Sequence, residues 1–347
     1  MKTRLRLFAA ISTAVLALTA CGSESGSSGE KDLYEFTLGS FNGEIYVLDY
    51  VADKQGFFEQ NGLKVSFISP QQGGASANTL FLGGTLKGWP GNPAPIMQNI
   101  AKGENIKIAG WLDNWIPFGV VVPGDSELAA LKDRPFEEKI KALRGKKIGL
   151  TAVGSLVYHS LMSGFATVGM TDKDATILAV GQPDSGIGQM EAGRIDAYVT
   201  YSRTDVGVFE QRVGAVQFVS LTGEEAPEKI RAFSSYALPV LNSLATEHPD
   251  VVSGYVKAQQ QAYEWTKQNI DAAAQIVADQ VYKGQYKEII VPALQKLFAV
   301  EQTYDFKVNP QSWNNMANLV VELGMVEQDK RSTLDYAKVV LDSAKAN

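Results

Sequence analysis

One cysteine, two histidines and a shortage of basic residues narrow what this 347-residue chain can do. Cys21 stands alone, which excludes a disulfide within the chain. Neither His159 nor His248 has a partner at metal-ligand spacing, so no metal or cofactor is expected. Lys and Arg number 32 against 38 Asp and Glu, a formal charge of −6, which argues against a nucleic-acid partner. The chain has no G-x-x-x-x-G-K-[ST] loop and should not hydrolyse ATP. Gly186-Ile187-Gly188 lacks the third glycine of a dinucleotide fingerprint. After the first 20 residues no apolar run reaches the roughly 20 residues that a spanning helix needs, so the body is expected to be soluble.

What is present begins with a basic start, Lys2, Arg4 and Arg6, and a short apolar run from Leu7 to Leu18. Leu18-Thr19-Ala20-Cys21 follows, then a Gly/Ser-rich stretch through Gly29. Small residues before a lone cysteine resemble the lipobox of bacterial lipoproteins. That resemblance implies a signal peptide over 1–20, lipidation of Cys21, and a flexible tether over 21–31 holding the body on the extracytoplasmic face of the cell membrane. The alternative is an ordinary signal peptide with an incidental cysteine. Without Lys2, Arg4 and Arg6 the formal charge moves from −6 to −9.

The remainder alternates strand-like and helix-like segments, which predicts parallel sheets covered on both faces and ligand-binding loops at the carboxyl ends of strands. Strands are expected near Glu35–Ser40, Lys64–Ser69, Thr85–Gly88, Asn105–Leu112, Phe118–Val122, Lys147–Thr151, Ala175–Val180, Ala215–Leu221 and Phe233–Val240, with another ending near Thr200. From Pro249 the pattern is nearly all helix, the last one over Gln328–Ala344. The chain is organised around Lys147 to Met170: a strand, a Gly154-Ser155 break with a good N-cap, then a helix with Val157, Leu161, Gly164, Phe165 and Val168 on one face. The amides that open this helix, at Ser155 and Leu156, can receive an anionic or acceptor-rich ligand.

Other candidates sit at predicted loop or strand ends. Phe41, Trp89, Trp111, Trp115, Tyr158 and Tyr201 suit a cleft for a flat ring or an apolar body, or else they pack a core. Asn42 and Asn92 offer donors and acceptors but are also ordinary turn residues. Arg203 could clamp a carboxylate or sulfonate, or simply pair with Asp205.

Four motifs in order resemble a known family. Gly56-Phe57-Phe58 with Gly62-Leu63-Lys64-Val65 resembles the G-(Y/F)-F-x-x-x-G-L-x-V signature of ABC-transporter substrate-binding proteins. The subgroup binds nitrate, sulfonates, taurine, bicarbonate and thiamine-pyrimidine precursors. Leu143-Arg144-Gly145-Lys146-Lys147-Ile148-Gly149 resembles its start of a second lobe, Gly193-Arg194-Ile195-Asp196-Ala197 its G-x-(V/I)-D-A strand, and His248-Pro249 its return to the first lobe. Thr200-Tyr201-Ser202-Arg203 departs from the aromatic, acidic residue and proline that often follow that strand, and Gly84-Thr85-Leu86-Lys87-Gly88-Trp89 departs from the lobe-one equivalent. The resemblance implies a two-lobed α/β fold of the type II periplasmic-binding-protein kind. Lobe one would be 32–121 plus 238–347 and lobe two 122–237, hinged near Phe118–Val122 and Phe233–Leu238. It implies a monomeric receptor, not an enzyme, that captures a small organic sulfur- or nitrogen-containing solute and delivers it to an ABC permease and its ATPase subunit. The ligand-binding set expected is Phe41, Asn42, Trp89, Asn92, Trp115, Gly154, Ser155, Leu156, Tyr201 and Arg203. The alternatives are an enzyme on the same fold, such as a pyrimidine-precursor synthase-like protein, and a surface lipoprotein without a small-molecule site.

Overall fold

The computed structural model describes residues 32–69, 74–299 and 305–346. Cys21 and the segments expected to be a signal peptide and a tether lie outside them. Strands β1 (Tyr34–Gly39) and β2 (Leu63–Ile68) pair in parallel from Tyr34↔Leu63 to Gly39↔Ile68. Between them the Val47–Lys54 helix buries Val47, Leu48, Val51 and Ala52, the stripe its apolar spacing dictates. Gly56, in the left-handed region at φ +72°, then turns the chain so that Phe58 enters the core. The expected strand at Thr85–Gly88 is only a bridge, Gly88 to Leu38. A side chain there would be crowded: a Cβ on Gly88 would lie 2.9 Å from Leu38 Cδ2.

The next strands are β3 (Ile106–Leu112), β4 (Gly119–Pro123), β5 (Lys147–Leu150), β6 (Thr176–Ala179), β7 (Ala197–Thr200), β8 (Ala215–Ser220) and β9 (Tyr236–Leu241). Five of them form a sheet in the order β6-β5-β7-β4-β8. The sheet is mixed rather than parallel. β5 runs with β6 and β7, whereas β4 runs against both β7 and β8. β4 arrives from β3, in a different sheet, through 113–118, so no strand–helix–strand crossover fixes its direction. β9 pairs antiparallel with β3, and the outgoing and returning chain segments therefore lie side by side. Phe118 and Phe233, one on each crossing, have ring centroids 5.7 Å apart.

The five-stranded sheet carries its own small cluster of Val121, Ile187, Met190, Ile195, Tyr198, Val206 and Phe209, with the Tyr198 and Phe209 rings stacked at 5.0 Å. Toward the C-terminus the chain is mostly helical, as expected, in the Pro249–Gln268, Ile270–Tyr282, Lys287–Phe298 and Pro310–Glu322 helices, and Val252, Tyr255, Ala262 and Tyr263 are buried along the first of them. The helix expected over Gln328–Ala344 does not form. That segment holds two 3₁₀ turns and a four-residue helix, Tyr336–Val339. Val340 instead bridges Ile108 on β3, and Lys345 bridges Val308. Among the described residues no helix is long and apolar enough to cross a membrane.

Candidate functional site

The loops after β1, β5, β6 and β7 meet the first crossing around a cavity of about 400 Å³. One wall consists of Phe41, Ile45, Tyr46, Trp89, Gly91 and Asn92, and the crossing adds Ile116 and Phe118. The facing wall is Thr151 to Val157 with Gly181, Gln182 and Tyr201. The volume suits a small molecule.

The organising stretch folds as its residues dictate. Gly154 takes φ +76°, a region costly for other residues, and releases the chain from β5. Ser155 caps the Leu156–Ala166 helix by accepting the Tyr158 N–H on Oγ, and Thr151 Oγ1 lies 3.3 Å from that same oxygen. The His159 N–H goes to the Ser155 carbonyl at 3.0 Å. His159 itself lies outside the cavity lining. Burial holds its imidazole below the usual range, against the opposing effect of a hydrogen bond to the Gly154 backbone. The Leu156 and Val157 amides, first in the helix, belong to cavity-lining residues. Amides of a first helical turn have no intrahelical acceptor and are free to donate.

No Asp, Glu, Lys, Arg or His is among the lining residues described. Polarity comes from backbone amides, hydroxyls and the amide side chains of Asn92 and Gln182. Tyr46 is 6% exposed and lines the cavity; burial, then the neighbouring Tyr50 and Asp49, raises its hydroxyl pKa, so it stays protonated and acts as a donor. Tyr201 is likewise held protonated by burial and then by Asp205, and its hydroxyl lies 3.5 Å from Gln182 Oε1.

Of the residues expected at the site, Phe41, Trp89, Asn92, Gly154, Ser155, Leu156 and Tyr201 line the cavity together. Asn92 commits its side chain to the fold: Nδ2 donates to the Phe233 carbonyl and Oδ1 accepts the Ala94 N–H at 2.9 Å. Trp115, Asn42 and Arg203 are not among the lining residues. Trp115 is fully buried, with Nε1–H donating to the Ile45 carbonyl at 2.8 Å and its ring packed on Tyr236, Tyr263 and Phe298. Asn42 is exposed. Arg203 opens the helix after β7, and its backbone N–H donates to Glu44 Oε1 at 2.6 Å. Tyr46, Thr151, Gly181 and Gln182 escaped the sequence reading. Gly181-Gln182 follows a strand, and the strand-end rule would have found it. Tyr46 sits one turn beyond a strand end and carries no local signal.

Comparison with known proteins bears on the family and the fold. The family model described as NMT1/THI5 like matches residues 46–273. A protein of Bacillus subtilis (strain 168) named for binding aliphatic sulfonates is 26% identical over 270 residues, covering 76% of this chain and 75% of its own. The alkanesulfonate-binding protein SsuA of Xanthomonas axonopodis pv. citri, solved bound to MOPS, superposes with a TM-score of 0.68 at 16% identity, over 89% of this chain and 99% of that one. The desulfurization enzyme DSZB does so with a TM-score of 0.59 at 15% identity, over 87% and 97%. The architecture is thus the two-lobed α/β fold of periplasmic binding proteins.

Proposed function

Because the chain belongs to the NMT1/THI5-like family, we propose that it is the extracytoplasmic solute receptor of an ABC importer, binding a small sulfonate-like or ring-bearing organic solute between two lobes. The observation that carries this reading is the cavity: apolar and aromatic walls with helix-opening amides at one end and no charged group among the lining residues described. Phe41, Tyr46, Trp89 and Tyr201 hold the body of the solute, and the amides behind Ser155 take its acceptor head. The named sulfonate binders among the relatives support that chemistry.

Lobe one comprises β1, β2, β3 and β9 with the C-terminal helices, and lobe two the five-stranded sheet. They turn on the crossings at 113–118 and 221–235. Closure on the solute presents the receptor to a permease driven by a separate ATPase, with Cys21 carrying a lipid anchor. Binding proceeds without turnover, since the lining residues described offer hydroxyls but no histidine or carboxylate to activate them. An enzyme on the same fold is the second reading, and DSZB is the observation in its favour.

The test is a thermal-shift screen of the chain with alkanesulfonates, MOPS, taurine, nitrate, arenesulfonates and pyrimidine precursors. A ligand at 100 times its dissociation constant adds about 2.7 kcal/mol, a shift of several degrees. A hit recovered unchanged after incubation supports the receptor. Silence across the panel would remove these solutes, and a chemically altered hit would establish the enzyme.

A further inference from the structure

A second helix start faces the first lobe, and it is already occupied. The Arg203–Val213 helix presents its Arg203 N–H to Glu44 Oε1 at 2.6 Å and its Thr204 N–H to Glu44 Oε2 at 3.3 Å. The Asp205 N–H goes to the cap, Ser202 Oγ, at 3.0 Å. Glu44 comes from the loop after β1, on the opposite side of the cleft, and is completely buried. Its approach depends on Gly43, where a Cβ would sit 3.3 Å from Ser202 Cβ and 3.7 Å from Tyr201 Cε2. At the same helix start the Thr204 hydroxyl is fully buried with no hydrogen-bond partner, and Asp205 Oδ2 is buried without one. A two-oxygen acceptor on two adjacent helix-opening amides, beside a spare hydroxyl, is the arrangement an oxyanion ligand adopts.

We propose that Glu44 is a built-in substitute for an anionic ligand: it fills the amide seat at the start of the Arg203 helix and closes it to solute. The acceptor head of a solute is then confined to the amides behind Ser155. Glu44 also places a carboxylate on the amides two and three residues after Tyr201 of the wall, so the accepted solute class carries no more than one negative charge. Asp205 is consistent with this charge: its carboxyl is held well above the usual range by burial and then by Glu44. The statement about solute class rests on the receptor reading above; the statement about the occupied seat does not.

The seat is tested in the full chain with Glu44→Ala, melted in sodium sulfate and in sodium chloride at matched ionic strength. Sulfate should saturate the vacated amides and raise the variant's melting temperature by about 3 °C at ten times its dissociation constant, with no matching rise in the wild type. Equal responses of the two proteins overturn the proposal. Glu44→Gln, which keeps the volume and removes the charge, serves if the alanine variant does not fold; there a smaller sulfate-specific rise is expected, and none overturns the proposal. The solute class is tested on the wild type with benzenesulfonate and its doubly charged analogue 4-sulfobenzoate. The first should bind roughly 15-fold more tightly, the discrimination one charge supplies at about 10 Å with an effective dielectric constant of about 20. Equal affinities refute the charge rule. Binding of neither counts against the receptor reading, and the sulfate comparison still decides the role of Glu44.

Discussion

Asp49→Asn should stabilise the protein at pH 8 and lose that advantage by about pH 4. Asp49 lies within the Val47–Lys54 helix and is fully buried; its Oδ1 accepts a hydrogen bond from Gln259 Nε2, while Oδ2 has no partner. Burial pushes its carboxyl from 3.8 up to about 7, against the smaller opposing effect of the Gln259 bond. A carboxyl raised in the folded state retains a proton that the unfolded chain has released. The folded state is therefore penalised increasingly as pH rises from about 3.8 to about 7, and the penalty levels off above that. Three pKa units at 1.36 kcal/mol each set an upper bound of about 4 kcal/mol. The asparagine amide has its own hydrogen-bonding needs, worth about 1–3 kcal/mol if unmet, although Gln259 Oε1 is also buried without a partner and can accept from it. A net gain of about 1–3 kcal/mol at pH 8 is expected. Urea denaturation of both proteins between about pH 4 and pH 8 isolates the effect, because the other carboxyls cancel in the difference. A difference independent of pH, or an asparagine variant less stable at pH 8, would show that Asp49 is not held protonated by burial.

Tyr46→Phe should weaken an acceptor-bearing solute by about fivefold, near 1 kcal/mol, without lowering the melting temperature, since Tyr46 lines the cavity and the ring packing is kept. Calorimetric titration reads the first quantity and a melt the second. Trp115→Phe should do the opposite, costing about 1–3 kcal/mol in urea denaturation by orphaning the buried Ile45 carbonyl while leaving solute affinity within about twofold. Gly207→Val should destabilise by about 1–3 kcal/mol, because even a Cβ there would come within 2.3 Å of Ile289 Cγ2 where the Arg203–Val213 and Lys287–Phe298 helices meet. Unfolding at wild-type denaturant concentrations would mean that the two helices part without cost.

Local chemistry made much of the fold legible. Gly154-Ser155 announces a turn and a cap, and the cap is made as expected by Ser155 Oγ. The failures came where distant contacts overrule local preference. Residues 328–344 have helix-forming composition, but Val340 and Leu341 are taken up beside β3, with the Leu341 N–H on the Ile108 carbonyl at 3.0 Å. The direction of β4 depends on which sheet it joins, and no periodicity encodes that. At the site, the strand-end rule found residues such as Ser155 and Tyr201 that the backbone delivers to the cavity. It could not separate Trp89, in the wall, from Trp115, whose indole is spent on the Ile45 carbonyl, because both are aromatics in loops. Glu44 resembled any surface carboxylate until its two amide partners, some 160 positions further along the chain, came into view.

The placement of the five tryptophans gives the molecule an optical property of its own. Trp111, Trp115 and Trp313 are immobilised in the interior, each with its indole N–H engaged: by Asp113 Oδ1, the Ile45 carbonyl and the Leu334 carbonyl. Trp265 lies on the Pro249–Gln268 helix, outside the cavity lining, whereas Trp89 forms part of the wall. The first four supply a steady emission background, and a solute entering the cavity changes the polarity and hydration around one fluorophore alone. The protein is thereby its own sensor of a solute in this cavity, and a Trp89→Phe variant is its natural blank.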